Sequence, residues 1–301
     1  MDMKIKLSFL KFLLIVGVVV AISSCDSTSQ ENTDTKDSTE VISDNQNQDQ
    51  TFYLIPSPED MFAFTEKGKL TFSPKAMNPI ENADKYADTK SKELNFGIFS
   101  ADLAYAASFS NFQETKKYLK VVRELSDDLG ISAVFNESLI KRIDNIIANK
   151  DSLKRVTSDS YQDIVKYLEK NQRKRTLALI ATGGWLESLY IVTNLVPKYV
   201  KDNETIQLIA DQKMIFNNLM SYLDQNKSDE QVKATLDDLT PIKLVFDQLQ
   251  EEKIESKAQK SNQPNQISVG GTSKIVITEA QYKLLRDAIA KVRNKMTGNN
   301  V

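Results

Sequence analysis

The sequence of 301 residues contains no histidine and a single cysteine, Cys25. Past Cys25, these absences exclude disulfides, thiolate metal sites and every Ser-His or Cys-His catalytic arrangement. Histidine is also the commonest general acid or base near neutral pH. Catalysis would therefore depend on Asp, Glu, Lys, Tyr, Ser or Arg, and only calcium or magnesium would suit the remaining oxygen ligands. The sequence predicts neither a metal site nor a cofactor.

The chain also lacks a basic excess, with 39 Lys and Arg against 41 Asp and Glu. The charge is divided unevenly, because residues 26–50 carry five Asp and two Glu against Lys36, a net charge of −6. Residues 51–301 are left at +2. Binding to nucleic-acid phosphates needs clustered Lys and Arg. The composition therefore predicts no nucleic-acid partner.

A short apolar segment near the N-terminus ends at Cys25. A lysine-containing start, residues 1–11, is followed by an apolar stretch over 12–22, and Ile22-Ser23-Ser24-Cys25 closes it. This order is typical of a secretory signal, and the last four residues resemble a bacterial lipobox. In such signals the cysteine is acylated, with palmitate among the acyl chains, and becomes the new N-terminus. We therefore predict a signal peptide over 1–24 and a lipidated Cys25.

Two other interpretations of this segment are weaker. A transmembrane helix needs about 20 apolar residues, roughly twice the run that follows Lys11. A plain cleaved signal would leave one unpaired thiol in a secreted protein. The lipoprotein interpretation places the protein in the bacterial cell envelope, anchored by lipid to the outer membrane on its periplasmic or its surface face.

Residues 25–50 are predicted to be a disordered acidic tether that begins at the lipidated cysteine. Val41 and Ile42 are the only apolar residues after Cys25 in this stretch, so it cannot bury enough surface to offset its ordering entropy. As a flexible coil it would span about 25–30 Å. The tether would hold a folded domain, residues 51–301, away from the lipid headgroups.

The domain over 51–301 is predicted to be all-α, a single multi-helix domain of about eight to ten helices. Apolar residues recur at helical spacing, and few segments alternate as strands do. The stretch 252–273 is polar and predicts a long surface loop. The helix-start signals are Ser57-Pro58, Asn136, Asn203, Ser228 with Gln231, Thr240-Pro241 and Thr278 with Gln281; the predicted ends include Gly68, Gly130 and the residue before Pro197.

Two predicted helices carry a strip of small residues. These strips consist of Gly97, Ala101, Ala104 and Ser108, and of Ala181, Gly184 and Ser188. Small side chains let helices approach closely, so the strips predict tight packing; the alternative is that they leave room for a ligand.

The segment Leu177–Val196 is long enough for a membrane span, but Glu187 near its centre would cost about 2.5–3.5 kcal/mol on insertion. We interpret it as the central buried helix. The basic run over 173–175 that precedes it predicts a solvated helix start, with anionic lipid or polysaccharide as an alternative contact.

Two carboxylates, Asp102 and Glu187, lie in apolar surroundings on these helices. A buried carboxylate must be paired or hydrogen-bonded, so each predicts a partner such as Arg, Lys, Tyr or a helix N-terminus. If the two converged, they would be candidate catalytic residues, with Tyr105, Trp185 and Tyr190 as candidate ligand-binding walls. The sequence does not place them together, and structural ion pairing is the favoured interpretation.

Three segments carry a resemblance: Leu94–Tyr105, Leu125–Ile131 and Gly183–Glu187. They resemble segments of an uncharacterised all-helical lipoprotein family of Bacteroidota, and the similarity covers roughly residues 52–250. The resemblance implies the fold and the location, and it carries over no catalytic residue.

The expected function is that of a membrane-anchored lipoprotein acting as a binding or accessory module of the bacterial cell envelope. Its expected partners are the membrane, through the N-terminal lipid, and an envelope protein or glycan. The alternatives are a carboxylate-dependent envelope hydrolase using Asp102 and Glu187, and a purely structural lipoprotein.

Overall fold

A computed structural model describes residues 58–62, 70–134, 150–254 and 272–298. The chain divides into two units, Met1–Asp44 and Asn45–Val301, and all described residues belong to the second. The predicted signal peptide, Cys25, the tether and the helix after Asn136 lie outside the described residues. So do Gly68 and the middle of the predicted 252–273 loop.

The described residues confirm the all-α fold class with nine α-helices and one small sheet. The helices are α1 (Pro58–Phe62), α2 (Thr89–Ser108), α3 (Phe112–Asp128), α4 (Lys150–Lys170), α5 (Lys174–Leu195), α6 (Glu204–Gln225), α7 (Glu230–Asp238), α8 (Thr240–Phe246) and α9 (Glu279–Met296). Short 3₁₀ helices span Pro74–Ala76, Ile80–Lys85 and Ser132–Val134.

Helices α2 and α5 form the centre of the domain and contact each other more extensively than any other pair of described helices. Both are apolar on nearly every side, so each must be covered all round. Helices α3 and α4 cover α2, α6 and α9 pack on α5, and α8 packs on α9. The apolar window of α5 is 94% buried. This burial confirms the prediction of a central core helix, although α5 is long and apolar enough to cross a membrane by length and composition.

Most predicted helix ends are confirmed. Asn203 caps α6, Thr278 and Gln281 form the capping box of α9, and Gly130 follows α3 with φ of 64°. Gly130 takes this left-handed conformation at no steric cost, which ends the helix. The capping box predicted at Ser228 is wrong, because the side chain of Asp229 accepts hydrogen bonds from the backbone N–H groups of the first turn of α7.

The polar stretch after α8 begins and ends in β-structure, so the predicted loop over 252–273 is wrong at both ends. Strand β1 (Gln250–Ile254) pairs antiparallel with β2 (Thr272–Val276), with Glu252 opposite Lys274. Ile275 and Ile277 are buried, and β2 packs on α6. The apolar run Ile275-Val276-Ile277 is too short to stand out as a strand in a helical sequence.

The two arginines of the basic run at the start of α5 bond to other elements of the domain. The prediction of a solvated helix start is therefore wrong for these arginines. Arg173 Nη2 donates to the carbonyl of Leu129 at 2.9 Å. Arg175 Nη2 lies 2.8 Å from Glu93 Oε2 and also donates to Gln231. Of the three basic residues, only Lys174 is exposed.

Candidate functional site: a buried carboxylate pair

Asp102 and Glu187 meet in the core between α2 and α5. Both side chains have 0% exposure. Asp102 lies on α2 and Glu187 on α5, and other elements cover both helices on all sides. The close contact of these two helices brings together two residues that are 85 positions apart in the sequence. The two carboxyl groups, which the sequence alone could not place relative to each other, therefore lie in one cluster.

Arg293 of α9 neutralises Glu187. Its Nε donates to Glu187 Oε2 and its Nη2 donates to Glu187 Oε1, each at 2.8 Å. The guanidinium is 4% exposed and its Cζ lies 4.5 Å from the centre of the Tyr190 ring. A bidentate pair stacked on an aromatic ring fixes the guanidinium in a single orientation. The predicted partner of Glu187 is therefore an arginine.

Asp102 has a different environment. Its Oδ2 accepts a hydrogen bond from the backbone N–H of Asn78 at 3.2 Å, and the negative charge of Glu187 acts on its carboxyl group. Oδ1 has no N–H or hydroxyl donor among the described residues. Among the described residues, Arg293 pairs with Glu187 and no Lys or Arg forms an ion pair with Asp102. A buried carboxyl group without a counter-ion is favoured in its neutral, protonated form.

The surroundings favour a protonated Asp102. Burial raises the pKa of Asp102 well above its usual range, and the negative charge of Glu187 raises it further. Burial also raises the pKa of Glu187, but the charge and the hydrogen bonds of Arg293 oppose this shift. We assign a neutral Asp102, an ionised Glu187 and a charged Arg293, so the cluster has no net charge.

A shell of uncharged polar groups surrounds the cluster. Asn78 donates from Nδ2 to Tyr86 Oη at 3.1 Å, and Tyr118 Oη donates to the Asn78 carbonyl at 2.7 Å. Tyr86 Oη lies 3.4 Å from the carbonyl of Thr297 at the end of α9, and Asn95 Nδ2 donates to the Met296 carbonyl at 3.0 Å. The shell therefore fastens the C-terminal turn of α9 to α2.

The three candidate ligand-binding aromatics do not line a common cleft. Tyr105 is packed against Phe72 at 5.1 Å between ring centres, and its hydroxyl accepts from Ser73 N at 2.8 Å. Trp185 donates from Nε1 to Gln212 at 3.1 Å inside the core. Tyr190 is half-buried against Arg293. All three side chains thus have structural contacts, and none is free to form a ligand wall.

The small-residue strips are packing surfaces. A Cβ atom on Gly97 would lie 2.0 Å from the Ile180 carbonyl oxygen, and one on Gly183 would lie 1.9 Å from the Leu94 carbonyl oxygen. A Cβ on Gly184 would meet Gly97 O at 3.5 Å, an ordinary contact. The close approach therefore depends on Gly97 and Gly183; Gly183 was outside the predicted strip.

Sequence reasoning missed Arg293 and Asn78. Arg293 lies four residues after Ile289 and three before Met296, so it shares the apolar stripe of α9 that these two residues form with Tyr282 and Leu285. A charged residue inside such a stripe indicates a buried partner, and this signal could have identified it. Asn78 lies in an irregular segment before the 3₁₀ helix over Ile80–Lys85, where spacing carries no information.

A second buried carboxylate lies on α2, away from the pair. Glu93 Oε1 accepts from Thr176 Oγ1 at 2.7 Å and Oε2 lies 2.8 Å from Arg175 Nη2. No group of three or more His, Cys, Asp or Glu side chains that could hold a metal ion occurs among the described residues. On the surface, a cleft of about 310 Å³ between α6 and the hairpin includes Lys201, Asp202, Glu252 and Lys274.

Chemically, the pair combines an acid with a base, which is the arrangement that carboxylate-dependent hydrolases use. A hydrolase needs space between the two carboxyl groups for a substrate or water. Here both carboxyl groups are fully buried, Asn78 bonds Asp102, and Arg293 bonds both oxygens of Glu187. The geometry is that of a buried, neutralised ion cluster.

Comparison with protein-family models, with curated proteins and with solved structures finds no match to this chain. The resemblance to helical lipoproteins of Bacteroidota therefore stays a prediction.

Proposed function

We propose that this protein is a lipid-anchored module of the bacterial cell envelope that acts by binding rather than by catalysis. The lipobox-like Ile22-Ser23-Ser24-Cys25 supports the anchor. One observation supports binding over hydrolysis: Asp102 and Glu187 are both fully buried, with Asn78 bonded to Asp102 and Arg293 bonded to Glu187. Such a cluster stabilises a helical scaffold that presents its outer surface to an envelope protein or glycan.

The convergence of the two carboxyl groups favours the hydrolase alternative, and their complete burial opposes it. Glu187→Gln distinguishes a structural role from a hydrolase, because the substitution keeps the shape of the side chain and removes its charge. A structural role predicts a protein with altered stability and unchanged binding to components of an envelope extract. Loss of a hydrolytic activity in a normally folded Glu187→Gln protein would support the hydrolase instead, and loss of binding alone would place the binding site at the carboxylate pair.

The anchor is tested on its own by intact-mass analysis of protein extracted from membranes with detergent. We expect residues 1–24 to be absent and Cys25 to be N-terminal with the mass of acyl chains added. Cys25→Ser should leave an unacylated chain that is released from the membrane or stalled before cleavage. A wild-type chain that keeps residues 1–24 and stays in the soluble fraction would contradict the proposal.

Affinity purification of the anchored protein after crosslinking would identify its envelope partner. The matched control is the Cys25→Ser protein, which carries the same folded domain without the anchor. A partner that depends on membrane placement should be enriched only with the wild type. If neither protein retains a stoichiometric partner or glycan, the purely structural alternative is favoured.

A further inference from the structure

Helix α9 is held to the centre of the domain by polar contacts near its C-terminal end. Arg293 reaches Glu187 on α5, Asn95 on α2 donates to the Met296 carbonyl, and Tyr86 approaches the Thr297 carbonyl. Towards its N-terminal end, Tyr282 Oη donates to the Val196 carbonyl at 2.6 Å. The strongest of these contacts is the charged one, because both partners are buried.

We propose that the Asp102–Glu187–Arg293 cluster is a proton-dependent latch that keeps α9 seated on α2 and α5. The latch is closed when one proton is present on the two carboxyl groups. Loss of that proton places two negative charges opposite one guanidinium in a site without water access, and α9 then opens so that water can reach the carboxylates. This inference is independent of the proposed function, since it concerns the folded domain alone.

The direction of the pH effect follows from linkage. Burial and the charge of Glu187 raise the pKa of Asp102 in the closed state, whereas a hydrated aspartate titrates near ~4. The stabilising effect of the proton is fully present below that ordinary value and is lost as the pH rises through the raised pKa. Between the two values, the equilibrium constant for opening increases by up to about tenfold per pH unit.

Among the described residues, the groups other than Glu187 that act on Asp102 do not titrate over the same range. The charged and titratable groups that interact with it are Glu187 of α5, Arg293 of α9, Tyr86 of the 3₁₀ segment, Tyr118 of α3 and Tyr105 of α2 itself. Burial raises the pKa of Tyr105 to about 12 and also raises that of Tyr86 and Tyr118. The tyrosines therefore stay neutral, and the carboxyl pair alone responds.

Hydrogen exchange of the full-length protein in detergent, measured from pH 5 to 9, tests the latch. After correction for the intrinsic exchange rate, the protection of amides in α9 should fall by up to about tenfold per pH unit until the raised pKa is passed. Amides of α3, which does not contact α9 extensively, are the internal control. In Asp102→Asn this position is neutral at every pH, so α9 should stay protected at every pH.

Asp127→Asn is the matched control, because it removes an exposed carboxylate of α3 and should keep the wild-type profile. Three results would each overturn the proposal: equal loss of protection in α3 and α9, an unchanged pH slope in Asp102→Asn, or constant protection in the wild type. If Asp102→Asn does not fold, carbon-13 NMR of the wild-type carboxyl groups decides. An Asp102 signal that titrates near ~4, as a hydrated aspartate does, contradicts the latch.

Discussion

At the residue scale, stability depends on whether each buried charge has its partner. Arg293 and Glu187 are both almost without solvent contact, so neither can recover water if the other is removed. Replacing a buried ion pair by apolar groups is often neutral, whereas removing one partner costs about 3–5 kcal/mol. The pair therefore predicts a strong coupling between two residues that lie 106 positions apart.

Arg293→Met should lower the free energy of unfolding by about 3–5 kcal/mol at pH 7, because Glu187 loses its counterion inside the core. The loss should be smaller at pH 5, where protonation of Glu187 removes the uncompensated charge. Urea denaturation at both pH values measures the difference. The double variant Arg293→Met with Glu187→Gln should recover part of the loss, since it leaves no buried charge on that pair.

Lys120→Met is the matched control, because Lys120 lies 3.7 Å from Glu124 in a pair that is well exposed on both sides. Exposed pairs contribute about 0–1 kcal/mol, so this variant should unfold close to the wild type. A cost for Lys120→Met that equals the cost for Arg293→Met would show that burial is not the cause.

At the element scale, the contact between α2 and α5 depends on glycines at two positions. Gly97 and Gly183 each face a carbonyl oxygen of the opposite helix at a distance that excludes a side chain. Glycine is unfavourable inside a helix by about 1 kcal/mol relative to alanine, so close packing must compensate for that cost. This packing brings the helices that carry Asp102 and Glu187 close together, and the two carboxyl groups interact.

Gly97→Ala and Gly183→Ala should each destabilise the protein by about 3 kcal/mol or more, the upper end of the range for overpacking. The added methyl group would meet backbone atoms, which cannot move without separating the helices. Gly184→Ala is the control in the same helix, where the added group makes an ordinary contact, and it should change stability by less than about 1 kcal/mol. Thermal unfolding followed by circular dichroism compares the three, and equal losses at all three positions would contradict the argument.

At the scale of the whole molecule, one core includes elements from both ends of the described chain. Phe62 of α1 is fully buried, with its ring 5.4 Å from that of Tyr105. Helix α9, near the other end of the described chain, packs on α5. Residues 26–50 are acidic and contain almost no apolar side chains that could join this core. Stability should therefore depend on residues from α1 onward and not on the stretch before Thr51.

A chain beginning at Thr51 should unfold at the same urea concentration as the chain beginning at Cys25, because residues 26–50 have almost no apolar side chains to bury. Phe62→Ala in the shorter chain should lower the free energy of unfolding by about 3–5 kcal/mol through the cavity it leaves. Urea denaturation followed by tryptophan fluorescence measures both. A large loss on removing 26–50 would contradict the predicted tether.

The sequence by itself determined the helical class and most helix ends, because apolar spacing and caps such as Asn203 and Thr278 act over a few residues. It also determined that Glu187 needed a partner, since an ionised carboxylate inside an apolar helix is too costly alone. Only the tertiary structure decided that the partner is Arg293 and that Asp102 is buried where the charge of Glu187 acts on it. Those contacts depend on how α2, α5 and α9 are placed against one another, and that placement is set by packing between segments distant in sequence, such as Gly97 against Ile180.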